Sequence, residues 1–157
     1  MATAPCFTTF IGCPECAYVA QNVFRYGDST RKLEQDLSAY LSSIRIPALI
    51  TSRLRSCNDQ ARLYRTGQSR AAPTTSTHEF GYAFDMVVSA ATHFHATRAQ
   101  TIAYVVEIAR AWGADGIAEA THAHIQVYSV SAWHAFIRAR DIAGIIPIPG
   151  PRPRQRR

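Results

Sequence analysis

Segments with apolar residues at helical spacing alternate along this chain with short runs that have the pattern of β-strands. In DSTRKLEQDLSAYLSSI, Leu33, Leu37 and Leu41 recur every four residues, and ATRAQTIAYVVEIARAWG shows the same helical period. PALITSRL, GYAFDMVVSA and HAHIQVYSV are short and either continuously apolar or alternating, which is typical of strands. This mixture predicts an α+β fold, with a small antiparallel or mixed sheet and helices packed mainly on one of its faces.

Polar residues and glycines indicate where several of these elements begin and end. Asp28 or Ser29 has the side chain expected at the N-cap of the first helix. Asn58 or Asp59 could cap a short helix in RSCNDQARLYRTG, which Gly67 would close. QSRAAPTTST is rich in Ser, Thr and Pro and predicts a loop, and SAWHAFIRARDIAG predicts a final helix.

The length and composition of the chain are those of one folded domain. Its 157 residues can bury a substantial core, and 47% hydrophobic with 18% charged residues argues against disorder. No apolar run approaches the roughly 18 residues that span a bilayer, and MATAPCFTTFIGCPECAYVA lacks the basic start and long apolar core of a secretory signal. We therefore expect synthesis in the cytoplasm without a signal peptide, no membrane partner, and a monomer.

The positive charge of the chain is concentrated at its end. The net charge is +6, and four of the 17 Lys and Arg residues lie among the last six residues, interspersed with proline. We interpret residues 147–157 as a flexible tail, either a solvated end or a segment that holds phosphates or an anionic polymer electrostatically. Residues 1–28 are interpreted as a Cys-containing arm and residues 29–146 as the folded domain. Without the tail the domain is only weakly basic, and we expect no nucleic-acid partner.

The four cysteines leave three interpretations open. Cys13 and Cys16 form a CxxC pair, and Cys6 and Cys57 are the other two. This spacing is that of half a zinc knuckle or of a redox pair, but one CxxC without a second pair is a weak signal. The cysteines could hold a small structural zinc ion, form a disulfide, or remain reduced thiols that pack in the interior.

Two clusters of histidine and carboxylate residues carry the chemistry of the chain. STHEFGYAFD places His78 seven residues before Asp85, which alone indicates no more than a strand with an incidental histidine. EATHAHIQV adds His122 and His124, whose side chains point to the same side of a strand, with Glu119 just upstream. A catalytic zinc ion needs three protein ligands and an open position for water, with a carboxylate as general base. These two clusters together contain that set of groups.

The same stretches resemble the LAS zinc peptidases, named for lysostaphin, D-alanyl-D-alanine peptidases and sonic hedgehog. Their SxHxxGxAxD signature is matched at Ser76, His78, Gly81, Ala83 and Asp85. Upstream, ITSRLRSCNDQARLY is similar to the corresponding segment of VanY-type carboxypeptidases and phage endolysin peptidases, at Ser52, Arg55, Ser56, Gln60, Leu63 and Tyr64. AWGADG and the strand with the histidines follow in the right order, so the resemblance covers about residues 35–130.

The resemblance implies a hedgehog-like or D-alanyl-D-alanine-peptidase-like fold, a Zn²⁺ cofactor and roles for individual residues. His78 and Asp85 correspond to the first two zinc ligands. Arg55 corresponds to the arginine that binds the carbonyl or carboxylate of the substrate, where a planar cation stabilises an oxyanion. Ser76 and Gln60 would bind substrate or orient a ligand.

The third zinc ligand depends on which branch of the family the chain follows. In the carboxypeptidase branch an acid-x-x-His motif makes Glu119 the base and His122 the ligand. In the lysostaphin and hedgehog branches a His-x-His motif makes His124 the ligand and His122 a catalytic histidine. We favour His124 because HIQVY begins an alternating strand, as the ligand strand of the family does, and we retain Glu119 as the base.

These assignments predict a zinc-dependent peptidase that cuts the stem peptides of bacterial peptidoglycan. The short chain, its lack of a signal and its basic tail suit a phage-type endolysin that acts on the cell wall. Cleavage of the L-alanyl-D-glutamate bond is therefore favoured slightly over D-alanyl-D-alanine carboxypeptidase action. The alternative is a zinc-binding domain that has lost catalysis and binds the cell wall or forms part of a virion. His93 and His95 also form an HxH pair but lack a carboxylate pattern, so we expect no second metal site there.

Overall fold

A computed structural model describes residues 27–143 of the chain, which form four α-helices and four β-strands. Two turns of 3-10 helix, Thr77–Phe80 and Thr92–Phe94, lie between the longer elements. The elements, in chain order, are α1 (Asp28–Ser43), β1 (Ala48–Ser52), α2 (Cys57–Arg65), β2 (Ala83–Val88), α3 (Arg98–Ala111), β3 (Asp115–Ala118), β4 (Ala123–Gln126) and α4 (Val130–Ala143). The tail predicted over residues 147–157 and almost all of the arm predicted over residues 1–28 lie outside the described residues.

The four strands form one antiparallel sheet in the order β1-β2-β4-β3. The α+β class is therefore confirmed, and the sheet is antiparallel rather than mixed. The register sets Asp85 of β2 directly opposite His124 of β4, and opposite Ser52 of β1 on the other side. Because paired residues in an antiparallel sheet point to the same face, these three side chains lie in one row across the sheet.

The other face of the sheet packs against helices α1 and α3 and forms the core. Phe84, Met86 and Ile125 alternate with the row just described and are fully buried. Helix α1 adds its leucines to this core, and α3 packs against β2, β3 and β4. The buried residues of α3 include the apolar positions that its helical period predicted, namely Ile102, Val105, Val106 and Ala109. One face of the sheet therefore packs in the core, and the opposite face presents the row that contains Asp85 and His124.

Several predicted boundaries are confirmed, whereas the predicted N-caps are wrong. Gly67 follows α2 with a φ of 72°, the left-handed conformation that a helix-closing glycine adopts. Helix α1 has Gly27 at its N-cap, with no side-chain hydrogen bond, so neither Asp28 nor Ser29 caps it. Helix α2 is capped by Ser56, whose hydroxyl accepts a hydrogen bond from the backbone nitrogen of Asp59. Because the N-cap of α2 lies two residues before Asn58 and three before Asp59, Asp59 lies in the first turn of the helix instead of capping it.

Strand β3 was not predicted from the sequence. It has only four residues, DGIA, which are too few to show a period of their own. Pairing with β4 makes it a strand, and Gly116 fits because a side chain there would collide with the backbone oxygen of His124 at 2.5 Å. Within residues 27–143 no helix is both long and apolar enough to cross a membrane.

Candidate metal centre

A single turn of 3-10 helix directly before β2 carries His78. Ser76 caps this turn, since its hydroxyl accepts a hydrogen bond from the backbone nitrogen of His78 at 3.3 Å. Gly81 closes the turn in the left-handed conformation, with a φ of 77°, which glycine adopts without steric strain. The chain thereby reverses, and the side chains of His78 and Asp85 meet on the same face of the sheet. Ser76, which we predicted to orient a ligand, contacts the backbone of His78 and not its ring.

A buried carboxylate holds this turn in place. Glu79 is 0% exposed, and its two oxygens accept hydrogen bonds from the backbone nitrogens of Thr74 at 2.9 Å and Ser76 at 3.1 Å. Thr74 has a φ of 73°, a left-handed conformation that costs a β-branched residue about 1–3 kcal/mol. The bond to Glu79 therefore holds a strained backbone segment just before the residues that form the site.

Three side-chain atoms of the site converge on one point. The Nε2 atom of His78 lies 3.1 Å from Oδ1 of Asp85 and 3.2 Å from Nδ1 of His124, and those two atoms are 3.2 Å apart. In a tetrahedral zinc site with bonds of about 2.0–2.2 Å, the ligand atoms lie roughly 3.3–3.6 Å from one another. The three atoms thus match one face of a tetrahedron closely, and this group, the His/Asp triad, could hold a metal ion.

The remote nitrogens of both imidazoles are already engaged in hydrogen bonds. Nδ1 of His78 donates to the carbonyl oxygen of Arg53 at 2.8 Å, and Nε2 of His124 donates to Oε1 of Gln126 at 2.8 Å. Each neutral ring then carries its lone pair on the nitrogen that faces Asp85. Three acceptor atoms therefore face one another at about 3 Å with no proton between them, an arrangement that a bound cation stabilises.

Burial and nearby charges favour the protonation states of His78 and Asp85 that metal binding requires. Burial lowers the pKa of His78, which is only 2% exposed, and this favours the neutral imidazole. Burial by itself raises the pKa of the Asp85 carboxyl, but hydrogen bonds and positive charge from His124 and His78, when these rings carry a proton on the nitrogen that faces Asp85, outweigh burial and lower that pKa well below its usual range. A cation bound at the same point would take the place of those protons and favour the carboxylate in the same way. Asp85 is therefore a carboxylate at neutral pH, ready to bind a cation together with a neutral histidine.

Arg55 lies beside the triad, on the side of β1. Its Nη2 atom is 3.5 Å from Oδ2 of Asp85 and 3.2 Å from the hydroxyl of Ser52, while Nη1 donates to Oε1 of Gln60 at 2.8 Å. Gln60 is fully buried, and its own amide nitrogen donates to the carbonyl oxygen of Ala71 at 2.6 Å. Burial lowers the pKa of Arg55, and the Asp85 carboxylate opposes this shift. Gln60 thus orients Arg55, and the guanidinium lies next to the position that a metal ion would take.

The turn of the β3–β4 hairpin carries the other two predicted site residues. The backbone nitrogen of Glu119 donates to the carbonyl oxygen of His122 at 2.9 Å, which sets the two residues opposite each other. Nε2 of His122 lies 3.6 Å from Oδ1 of Asp85, so both histidines of HAH reach the site, with His124 as the member of the triad. Glu119 is exposed, and no residue in the described range bonds to its carboxylate.

Gln126 and Thr77, for which the sequence predicted no role, both contact His124. Gln126 accepts the hydrogen bond from the ring of His124, and the hydroxyl of Thr77 lies 3.4 Å from the same ring nitrogen. The alternation of β4 had placed Gln126 on the same face as His124, two residues along the strand. That spacing could have identified Gln126, whereas nothing in the sequence brings Thr77 to β4.

The remaining cysteine and histidine residues form no second site within residues 27–143, where the triad is the only such group with metal-ligand spacing. Cys57 is buried and disulfide-bonded, which favours the disulfide interpretation for that residue. His93 and His95 are exposed, and Nε2 of His93 bonds to the carbonyl oxygen of Ile44 at 2.9 Å. His134 is exposed on α4. The other cysteines, Cys6, Cys13 and Cys16, lie outside the described residues.

The site thus combines three converging ligand atoms, a largely buried arginine and a second histidine on the free face of the sheet. In comparisons with known proteins, no protein-family model and no curated protein matches the chain. The function is therefore inferred from the chemistry of this site and from the motifs that surround it.

Proposed function

We propose that this protein is a zinc-dependent peptidase that hydrolyses peptide bonds in the stem peptides of bacterial peptidoglycan. The observation that carries the proposal is the convergence of His78, Asp85 and His124, with ligand atoms 3.1–3.2 Å apart. Two imidazole nitrogens and one carboxylate oxygen are a donor set that catalytic zinc sites use, with a fourth position left for water. The resemblance of STHEFGYAFD and ITSRLRSCNDQARLY to the LAS zinc peptidases supports zinc as the metal and a cell-wall peptide as the substrate.

Each member of the site has a distinct part in this proposal. His78, Asp85 and His124 would hold the zinc ion, which when bound polarises a carbonyl group and lowers the pKa of water. Arg55 would bind the carbonyl or carboxylate oxygen of the substrate and stabilise the negative charge that develops there. Because its side chain is only 15% exposed and already oriented by Gln60, little freedom is lost when substrate binds.

Glu119 and His122 would handle the proton in this reaction. They face each other across the hairpin turn, and the alternation of the strands puts both side chains on the same face as His124. Glu119 would take the proton from water and pass it to the leaving amine, since it is an exposed carboxylate on the same face as the triad. His122, with Nε2 3.6 Å from Asp85, would stabilise the charge of the transition state.

The same site would suit two reactions, endopeptidase cleavage within the stem peptide and removal of its terminal D-alanine. We favour endopeptidase cleavage of the L-alanyl-D-glutamate bond over removal of a terminal D-alanine, in line with the resemblance of ITSRLRSCNDQARLY to phage endolysin peptidases. In the first reaction Arg55 would bind an internal carbonyl, and in the second it would bind the terminal carboxylate. In both, the enzyme would act at the cell wall.

A catalytically inactive zinc-binding domain is the second candidate function. One observation favours it, namely that the Glu119 carboxylate is exposed and bonds to no residue in the described part of the chain. In that case the triad would hold a structural metal ion, and the open face of the sheet would bind cell-wall polymer.

Incubation of the full chain with peptidoglycan fragments, with and without a chelator, distinguishes these functions. We expect cleavage that the chelator abolishes and added zinc restores, and mass spectrometry of the products then identifies the bond. His93→Ala is the matched control, because His93 is exposed and belongs to no metal-binding group in the described range. Bound zinc without cleavage of any fragment would support the inactive domain, and failure to bind zinc would overturn both candidates.

A further inference from the structure

We infer that Gln126 is a positioning residue that fixes His124 in the tautomer whose Nδ1 atom is free to bind the metal ion. This inference rests on the metal centre proposed above but concerns a residue outside it. Gln126 is 3% exposed and lies two residues after His124 on β4, on the same face of the sheet. The amide therefore contacts the imidazole where water has almost no access.

The orientation of the Gln126 amide is set by a main-chain carbonyl. Its Nε2 atom donates to the carbonyl oxygen of Tyr128 at 2.7 Å. A carbonyl oxygen can only accept, so the NH₂ end of the amide must face Tyr128 and the Oε1 end must face the imidazole. The hydroxyl of Thr77 donates to the same Oε1 atom at 3.4 Å, which agrees with this orientation.

The orientation of the amide in turn determines which nitrogen of His124 carries the proton. Oε1 of Gln126 lies 2.8 Å from Nε2 of His124 and can only accept, so Nε2 must donate. In the neutral ring the lone pair is then on Nδ1, the atom that lies 3.2 Å from both Asp85 and His78. With the other tautomer, two acceptors would face each other at Gln126 and a proton would occupy the metal position.

The two histidines of the triad are thus controlled in different ways. His78 donates from Nδ1 directly to the carbonyl oxygen of Arg53 at 2.8 Å, a main-chain atom that no substitution removes. His124 reaches the carbonyl oxygen of Tyr128 only through the side chain of Gln126. A single substitution can therefore release the tautomer of His124 while that of His78 stays fixed.

The tautomer can be measured without metal or activity. Long-range ¹H–¹⁵N correlation spectra of the metal-free full chain, with ¹⁵N-labelled histidine and at a pH of about 8.5 where imidazoles are neutral, report which ring nitrogen is protonated. We expect His124 of the native protein to be protonated at Nε2 only. Gln126→Met, which keeps the volume but removes the acceptor, should give a mixture of both tautomers and about 10- to 100-fold weaker zinc binding in a chelator competition.

Two further variants serve as controls. Gln126→Glu keeps an acceptor beside the ring and should retain the Nε2-protonated tautomer, whereas Thr77→Val should change neither the tautomer nor the zinc affinity by more than about threefold, because its contacts are long. Protonation of Nδ1 in the native protein, or an unchanged tautomer in Gln126→Met, would overturn the inference. If the native protein binds no zinc, the metal centre is wrong, and the spectra still decide the role of Gln126.

Discussion

The two halves of the candidate site differ in how firmly the fold holds them. Every residue of the turn half, residues 76–85, is buried, and this half supplies His78 and Asp85. In the hairpin half, residues 119–126, the first three residues are exposed, and His122 and His124 are partly exposed. The turn half is fixed by a capped turn and a buried carboxylate, whereas the hairpin half is joined to the rest of the site by strand pairing.

This difference suggests that the turn half is mainly structural and that the hairpin half interacts with the substrate. The turn half can keep two ligands in position without a metal ion, because its geometry is set by backbone hydrogen bonds. The hairpin half meets solvent, so the groups that act on a substrate are expected there. Substitutions in the turn half should therefore reduce the stability of the protein, and substitutions at the tip of the hairpin half should reduce activity at unchanged stability.

Replacing Glu119 tests the hairpin half most severely. Glu119→Gln should lower kcat for peptidoglycan fragments by roughly 10²- to 10⁴-fold, the usual contribution of a general base. Since Glu119 is exposed, the free energy of unfolding should change by less than about 0.5 kcal/mol, and zinc content should stay the same. Activity close to that of the native protein would move the proton transfer to His122.

Replacing each histidine of HAH in turn distinguishes the proposed metal ligand, His124, from the proposed catalytic group, His122. His124→Ala should weaken zinc binding about 10²- to 10³-fold, because the binding free energies of about 10–16 kcal/mol in four-ligand zinc sites divide into roughly 2.5–4 kcal/mol for each ligand. His122→Ala should leave zinc affinity within about tenfold and reduce activity. Isothermal titration with chelator competition measures the zinc affinity of both variants. Loss of zinc binding in His122→Ala but not in His124→Ala would make His122 the ligand.

Glu79 is the corresponding test for the turn half. Glu79→Ala removes the acceptor for the buried backbone nitrogens of Thr74 and Ser76, each costing about 1–3 kcal/mol when unsatisfied. We expect the free energy of unfolding in denaturant to fall by about 2–4 kcal/mol, although Glu79 does not belong to the triad. Glu79→Gln, which keeps one acceptor oxygen, should lose less of the free energy of unfolding than Glu79→Ala. Equal stability of both variants and the native protein would contradict a mainly structural role for the turn half.

Asp115, at the start of β3, should make a smaller and pH-dependent contribution to the free energy of unfolding. Burial by itself raises the pKa of its carboxyl, but hydrogen bonds from the backbone nitrogen of Val130, from Arg110 and from the backbone nitrogen of Gly116 outweigh burial and lower that pKa. The stabilisation is therefore present above the unfolded pKa of about 3.9 and is lost as the pH falls. Asp115→Asn weakens the charged hydrogen bonds that the carboxylate accepts and should cost about 1 kcal/mol at pH 7, and this difference should shrink in unfolding experiments at about pH 3.

Much of the fold followed from periodicity, because the period depends on the side chains alone. The leucines of α1 and the apolar face of α3 were predicted correctly, and so were the strands that carry Asp85 and His124. Strand β3 was missed because four residues become a strand only through pairing with β4. The caps were misplaced because Asp28, Ser29, Asn58 and Asp59 are all acceptable cap residues, and tertiary structure decides among them.

The candidate site was less accessible to sequence reasoning than the fold. The motifs identified His78 and Asp85, but only the register of β2 and β4 brings His124 opposite Asp85. The support of the site could not be predicted, because Arg53 acts through its backbone oxygen and Gln126 through an amide whose orientation depends on Tyr128. The sequence also could not show that Glu119 is exposed while His122 lies near Asp85.

The number of zinc ions bound per chain tests the central claim most directly. The full chain and its Asp85→Ala variant are each saturated with zinc, dialysed and analysed for metal and protein content. The triad predicts that the native protein holds about one more zinc ion per chain than the variant, because Asp85 lies within 3.2 Å of both histidine ligand atoms. Equal zinc content in the two proteins would contradict a metal centre at His78, Asp85 and His124.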